Sequence, residues 1–259
     1  MAKEILGIKK PIIGVVHLPA LPGSPKNKLP VEEIVKHALK EAKIYSNAGF
    51  DAIIIENFGD VPFYPTFVGP ETIACMTNVA TRVKRAVDIP LGIQVLRNDA
   101  KAGLAIAHAV GASFIRVNIL SEAMLTDVGI IQSQAYDVLR YRKSIGAEDV
   151  KIFADINVKH AAPVVGRPLD VSAEDLVFRC LADAVIVTGS LTGKETDLKK
   201  VIDIRANKNL DTVPIIVGSG VNKSNIEECL ELCDGVIIAS SLKSEGKPTN
   251  PLNPKRVKE

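Results

Sequence analysis

Eight short apolar runs recur along the whole chain, at 12–18, 52–56, 91–96, 114–119, 151–158, 184–188, 214–217 and 235–239. Most are continuous in Ile and Val rather than alternating apolar with polar, the pattern of strands buried on both faces. Stretches with helical spacing separate them, at 31–47, 70–87, 99–109, 131–144, 172–181, 195–206 and 224–233, the last capped by Ser224. Gly49, Gly111 and Gly146 stand between a helical stretch and the next strand, where a helix commonly ends on glycine. Strand–helix alternation eight times over predicts a parallel (β/α)8 barrel, the TIM barrel. The length of 259 residues suits one such barrel, for which about 250 is usual, and no linker-like stretch divides 1–259 into two domains. An open doubly wound sheet is the alternative, but the Gly-x-Gly-x-x-Gly turn expected after its first strand is missing. The polar, proline-bearing tail 247–259 is expected to fray.

Composition removes several function classes. Apolar residues make up 47% of the chain and charged residues 24%, enough to fill a sizeable core. The net charge is +2, with Lys and Arg mixed among Asp and Glu. Without Trp, and with few other aromatics, the chain offers neither a basic stripe nor a stacking platform, so no nucleic-acid partner is expected. No apolar run approaches the ~18 residues that cross a bilayer, and the N-terminus lacks a signal-peptide pattern. Cys75, Cys180, Cys229 and Cys233 form no Cys-x-x-Cys pair, and Cys229 with Cys233 offers no four-ligand set. They read as buried small side chains of a cytoplasmic protein.

In a β/α barrel, chemistry sits where strands end and βα loops begin. The first strand ends at His17, before a stiff loop with prolines at 19, 22 and 25. Imidazole titrates nearest physiological pH, which suits a general acid/base; the plainer reading is a histidine bonded to a neighbouring loop. The second strand delivers Glu56 and Asn57. A carboxylate after four apolar residues should be desolvated, with a raised pKa, and able to act as a base. A structural pair with Arg116 is the alternative. Gln94 closes the third strand. Arg116 and Asn118 share a face of the fourth, because strand side chains alternate. By the same rule Asp155, Asn157 and Lys159 share a face of the fifth, followed by His160. The catalytic candidates are therefore His17, Glu56 and Asp155. Asn57, Gln94, Arg116, Asn118, Asn157, Lys159 and His160 are candidates for substrate contact.

The loops after the last two strands carry Gly218-Ser219-Gly220 and Ser240-Ser241. Such loops supply backbone N–H groups to a phosphate in many barrels, and glycine lets the backbone approach an anion closely. The expected ligand is a small phosphorylated molecule. No resident metal is expected: His17, Glu56, Asp155 and His160 could converge but include no short-range ligand pair, which leaves Mg²⁺ arriving with a phosphorylated ligand. Lys159 is the sole candidate for a Schiff-base lysine, and its place beside His160 and a long loop argues against that role.

Several blocks resemble the BtpA family. They are 14–25 (Gly14-Val15-Val16-His17-Leu18-Pro19 onward), Glu56-Asn57-Phe58-Gly59-Asp60, Arg116-Val117-Asn118, Asp155 to His160, Gly218-Ser219-Gly220-Val221 and Ser240-Ser241-Leu242-Lys243. The resemblance runs nearly end to end and implies a β/α barrel. The cyanobacterial namesake of the family is associated with photosystem I accumulation or assembly. Other lineages hold members without any photosystem, so the shared strand-end residues imply an older site. Two readings follow. One is an isomerase, epimerase or lyase acting on a phosphorylated metabolite, and the other is an assembly factor that binds a protein partner. The tail and the loop 62–67 are the candidate docking surfaces for such a partner, and a homo-oligomer built on outer helices, with the apolar loop 62–65 joining in, is expected with either reading.

Overall fold

The computed structural model describes residues 3–189 and 196–259. Its centre is a closed barrel of parallel strands: β1 Ile12–His17, β2 Ala52–Glu56, β3 Leu91–Gln94, β4 Phe114–Val117, β5 Lys151–Ile156, β6 Ala184–Val187, β7 Ile215–Val217 and β8 Gly235–Ile238. Each strand pairs with its sequence neighbours, and β8 returns to β1. The helices are α1 Val31–Asn47, α2 Pro70–Lys84, α3 Ala100–Val110, α4 Ala135–Ser144, α5 Leu169–Glu174, α6 Lys199–Arg205, α7 Ile226–Leu232 and α8 Pro254–Lys258. The expected start of the sixth helix, at Glu195, lies outside the described residues.

Alternation along each strand sorts the core into two. Inward positions Ile13, Val15, Ala52, Ile54, Phe114, Phe153, Ala184, Ile186, Ile216 and Ile237 fill the barrel. Phe114 and Phe153 stack there with ring centroids 4.6 Å apart, and each such buried ring contributes on the order of 2–3 kcal/mol. Outward positions such as Val16, Ile53 and Ile55 pack under the helices. In α1, Ile34, Val35, Ala38, Ala42 and Tyr45 recur at helical spacing and are buried. Tyr45 lies so close to β1 that a Cβ on Gly14 would stand 2.6 Å from its ring, which is why that strand position is glycine. Gly49, Gly111 and Gly146 take φ values of 84°, 69° and 69°, as residues that turn a helix into the next strand.

Four features depart from expectation. A hairpin, Glu4–Ile5 with Ile8–Lys9, inserts Ile5 into the N-terminal end of the barrel core. A three-stranded antiparallel sheet, made of Ala123–Thr126, Gly129–Gln132 and Ala161–Pro163, sits at the other end. It takes the first residues of the stretch expected to be helical from 131, so α4 begins only at Ala135. Its underside packs Met124 and Ile131 on Ile119 and Val158. The tail 247–259, expected to fray, is docked. Leu252 pairs with Lys243, Leu252 and Val257 are buried, and the Leu252 N–H donates to Glu41 Oε1 at 3.2 Å. Ser224 does not cap α7: it lies before the helix, and its N–H and hydroxyl both donate to Asn222 Oδ1.

Candidate functional site

The inward alternation that fills the barrel with apolar side chains continues past them into a polar layer. After Ile13 and Val15 comes His17, after Ile54 comes Glu56, after Phe114 comes Arg116, and after Phe153 comes Asp155. His17, Glu56 and Gln94 stand side by side in register across β1, β2 and β3. These residues floor a cavity of about 480 Å³, within the ~300–1,000 Å³ usual for small-ligand sites. Asn118, Lys159 and His160 line it as well, as do Gly218, Ser219, Gly220, Ser240 and Ser241 from the last two loops.

The two carboxylates are in opposite states. Asp155 accepts from Arg116 Nε at 2.9 Å and Nη2 at 3.0 Å, and from Asn118 Nδ2 at 2.8 Å. The alternative pairing of Arg116 with Glu56 is not made. Glu56 is 8% exposed and accepts no hydrogen bond from a described residue. Burial raises its pKa, against the pull of Arg116 and Lys159. Beside it, Gln94 Oε1 is buried and takes no donor.

His17 is stacked on Phe58, with centroids 4.3 Å apart. Its Nδ1 lies 2.9 Å from the Pro248 carbonyl, which can only accept, so the neutral ring carries its proton on Nδ1 and its lone pair on Nε2. Burial, then the Lys243 ammonium, push its pKa down to about 3. It is a neutral acceptor at physiological pH rather than the titrating acid/base that its type suggested.

Lys159 Nζ makes no hydrogen bond or ion pair with a described residue. Burial and the Arg116 guanidinium lower its pKa to about 8, against Asp155 and Glu56. Its carbonyl accepts from Arg97 Nη2 at 2.6 Å. Arg97 also donates to Asn118 Oδ1 at 3.1 Å and sits 3.3 Å from Asp127 of the capping sheet.

At the last two loops the Ser219 and Ser241 hydroxyls are engaged but the amides are not. Ser219 Oγ accepts from the Gly189 N–H at 2.6 Å, and Ser241 Oγ donates to the Val221 carbonyl at 2.8 Å. The N–H groups of Ser219, Gly220, Val221, Ser240 and Ser241 have no acceptor among the described residues. Gly220, at φ 69°, holds the left-handed turn between them. Ser219 and Ser241, expected as donors, instead shape the loops through their hydroxyls, while residues with unengaged backbone N–H groups line the cavity.

Two expected substrate contacts are not on the cavity wall. Asn57 turns outward, where its Oδ1 accepts from the Leu96 N–H at 2.6 Å and its Nδ2 donates to Asp60 at 2.9 Å. Asn157 follows the end of β5 at φ 52°, so the strand alternation that placed it beside Asp155 has already stopped. Arg97 and Asp127, which also line the cavity, were not among the candidates; they meet through loops, which no local spacing reveals.

Comparison with known proteins places these residues in context. The model of the BtpA family matches residues 8–259. An uncharacterized protein of Pyrococcus furiosus is 44% identical over 99% of this chain and 95% of its own length. The photosystem I biogenesis protein BtpA of Synechocystis is 41% identical over 95% of this chain and 85% of its own. Among solved structures, the N-(5'-phosphoribosyl)anthranilate isomerase of Pyrococcus furiosus superposes with a TM-score of 0.55 at 16% identity, over 96% of this chain and 94% of that one. That likeness shows the barrel fold.

Proposed function

The chain belongs to the BtpA family, and we propose that it binds a small phosphorylated metabolite and exchanges a proton with it, as an isomerase, epimerase or lyase does. One observation carries this reading. Residues whose backbone N–H groups are unengaged line the same cavity as a buried carboxyl group that accepts no hydrogen bond from a described residue. Each feature costs stability unless it is used.

In this reading the phosphate rests on the N–H groups of residues 219–221 and 240–241. Glu56, with its raised pKa, gives and takes the proton. Asp155 keeps Arg116 oriented, and the guanidinium stabilises oxyanion charge that develops on the substrate. Gln94 Oε1 and His17 Nε2 accept from substrate hydroxyls. Asp155 has its oxygens taken, so a Mg²⁺ would enter on the ligand's phosphate rather than on a protein site. The test is thermal unfolding with inorganic phosphate, ribose 5-phosphate and a wider panel of phosphorylated metabolites. The reading expects a rise in Tm that Gly220→Asp abolishes by setting a carboxylate against the anion. No shift with any of them would leave the two loops as plain turns.

A protein-docking reading draws on the capping sheet, where Leu125 and Ile130 face each other across neighbouring strands and are 56% and 60% exposed. It is also suggested by the biogenesis role named for the Synechocystis relative. Leu125→Glu with Ile130→Glu would then abolish partner binding and leave the Tm response to phosphate intact.

A further inference from the structure

Lys159 is held in an unusual setting for a lysine. Its carbonyl is bonded by Arg97, the preceding Val158 is buried under the capping sheet, and its side chain lines the cavity. The stretch after it is not a free loop. His160 turns at φ 53°, and Ala161 begins a strand of the capping sheet. The chain after Lys159 thus enters a paired strand within two residues rather than a long loop.

The groups that act on Nζ are Arg116 from β4, Arg97 from the β3 exit, Asp155 from β5 and Glu56 from β2. Asp155, the nearest thing to a counter-ion, already spends both oxygens on Arg116 and Asn118. Nor is the ammonium needed to neutralise a phosphate at the last two loops, since backbone N–H groups serve that end of the cavity. The amine is partly buried in the cavity wall, flanked by cations and without a hydrogen bond or ion pair to a described residue, a setting that keeps a neutral fraction at physiological pH.

We propose that Lys159 captures the carbonyl carbon of a phosphorylated aldehyde or ketone as an imine, so that the metabolite class read above is a phosphorylated carbonyl compound. This rests on the phosphate reading for where the ligand's anionic end lies. The neutral amine attacks the carbonyl carbon, and one N–H proton passes to the former carbonyl oxygen to give a carbinolamine. The protonated carboxyl of Glu56 then delivers a proton to that hydroxyl, the C–O bond breaks, and water leaves. The product is a protonated imine, with Glu56 now a carboxylate. Nothing is oxidised or reduced. The iminium draws electrons from the adjacent carbon, where the Glu56 carboxylate takes a proton, which is the step common to isomerisation and epimerisation.

The experiment uses the full chain with dihydroxyacetone phosphate, glyceraldehyde 3-phosphate and ribose 5-phosphate, each followed by borohydride, which reduces an imine to a stable amine. Intact mass and peptide mapping read the product, and thermal unfolding is measured with each probe in parallel. The expected result is a single adduct on Lys159, reduced several-fold by inorganic phosphate and absent from Lys159→Met and Lys159→Arg. The mapping on the wild-type chain stands even if a variant folds poorly. A rise in Tm with the probes and no adduct on Lys159 would overturn the imine and leave the phosphate reading standing. Neither a rise nor an adduct would overturn both. Labelling spread evenly over surface lysines would also overturn the imine.

Discussion

Arg116 commits both of its facing nitrogens to the two oxygens of Asp155, at 2.9 and 3.0 Å, and so leaves Glu56 in the same barrel layer without a hydrogen-bond donor among the described residues. One carboxylate is fixed as a counter-ion and the other is left to titrate. The two therefore respond differently to the same isosteric change.

Asp155→Asn strands a buried guanidinium and should cost about 3–5 kcal/mol, read by denaturant unfolding. Glu56→Gln removes a desolvated carboxylate that no donor supports, and should keep or raise stability. Because the folded-state pKa of Glu56 lies above its unfolded value, its ionisation opposes folding. That penalty is absent below the ordinary carboxylate range and complete above the raised value. The Tm advantage of Glu56→Gln should accordingly grow as pH rises to neutrality. Equal, large losses for both variants would mean that Glu56 belongs to the structural ion network.

His17 should show no titration between pH 5 and 8 in residue-resolved NMR of its imidazole, since its folded pKa is pushed down to about 3. Between that value and the ordinary 6.5, the unfolded chain binds a proton that the folded one refuses. Its contribution to stability is thus lost as pH falls through this window and complete above it. His17→Gln should flatten that part of the acid limb.

Lys243, 1% exposed, donates to both oxygens of Glu41 at 2.7 Å, while Glu41 also holds the Leu252 N–H of the tail. Lys243→Met should cost about 3–5 kcal/mol by leaving Glu41 buried and unpaired, and adding Glu41→Leu should recover part of that loss. Chemical denaturation of the two variants measures the coupling.

The phosphate reading has an expected size. At a ligand concentration one hundred times Kd, a site present only in the folded chain adds about 2.7 kcal/mol, or a Tm rise of roughly 5–10 °C for a domain of this length. Ser219→Ala should reduce that rise, because the hydroxyl it deletes holds the Gly189 N–H and so the shape of the loop. Differential scanning fluorimetry at several ligand concentrations resolves both effects.

The barrel was legible because a strand buried on both faces must be written as an Ile/Val run, and eight such runs leave little choice of architecture. Within the site, period-two counting reaches His17, Glu56, Arg116 and Asp155, since each extends an apolar inward series by one step, and Gln94, which follows the inward Gly92. The same counting misled at Asn157, where the backbone leaves the strand at φ 52°, and at Asn57, whose amide serves the Leu96 backbone instead. The capping strands escaped because they are four residues or fewer and partly exposed, so no strong apolar run marks them. The pairing of Lys243 with Glu41 spans 202 positions and leaves no local trace, and the docking of the tail depends on it.

Beneath Arg116 the barrel is solid, filled by the Phe114–Phe153 stack and closed at the far end by Ile5. A ligand of the cavity cannot pass through the barrel toward Ile5 and must leave at the strand C-terminal end where it entered. Departure of one molecule is then a condition for arrival of the next. For the reaction proposed above, the pace of turnover would be tied to how readily the mouth empties.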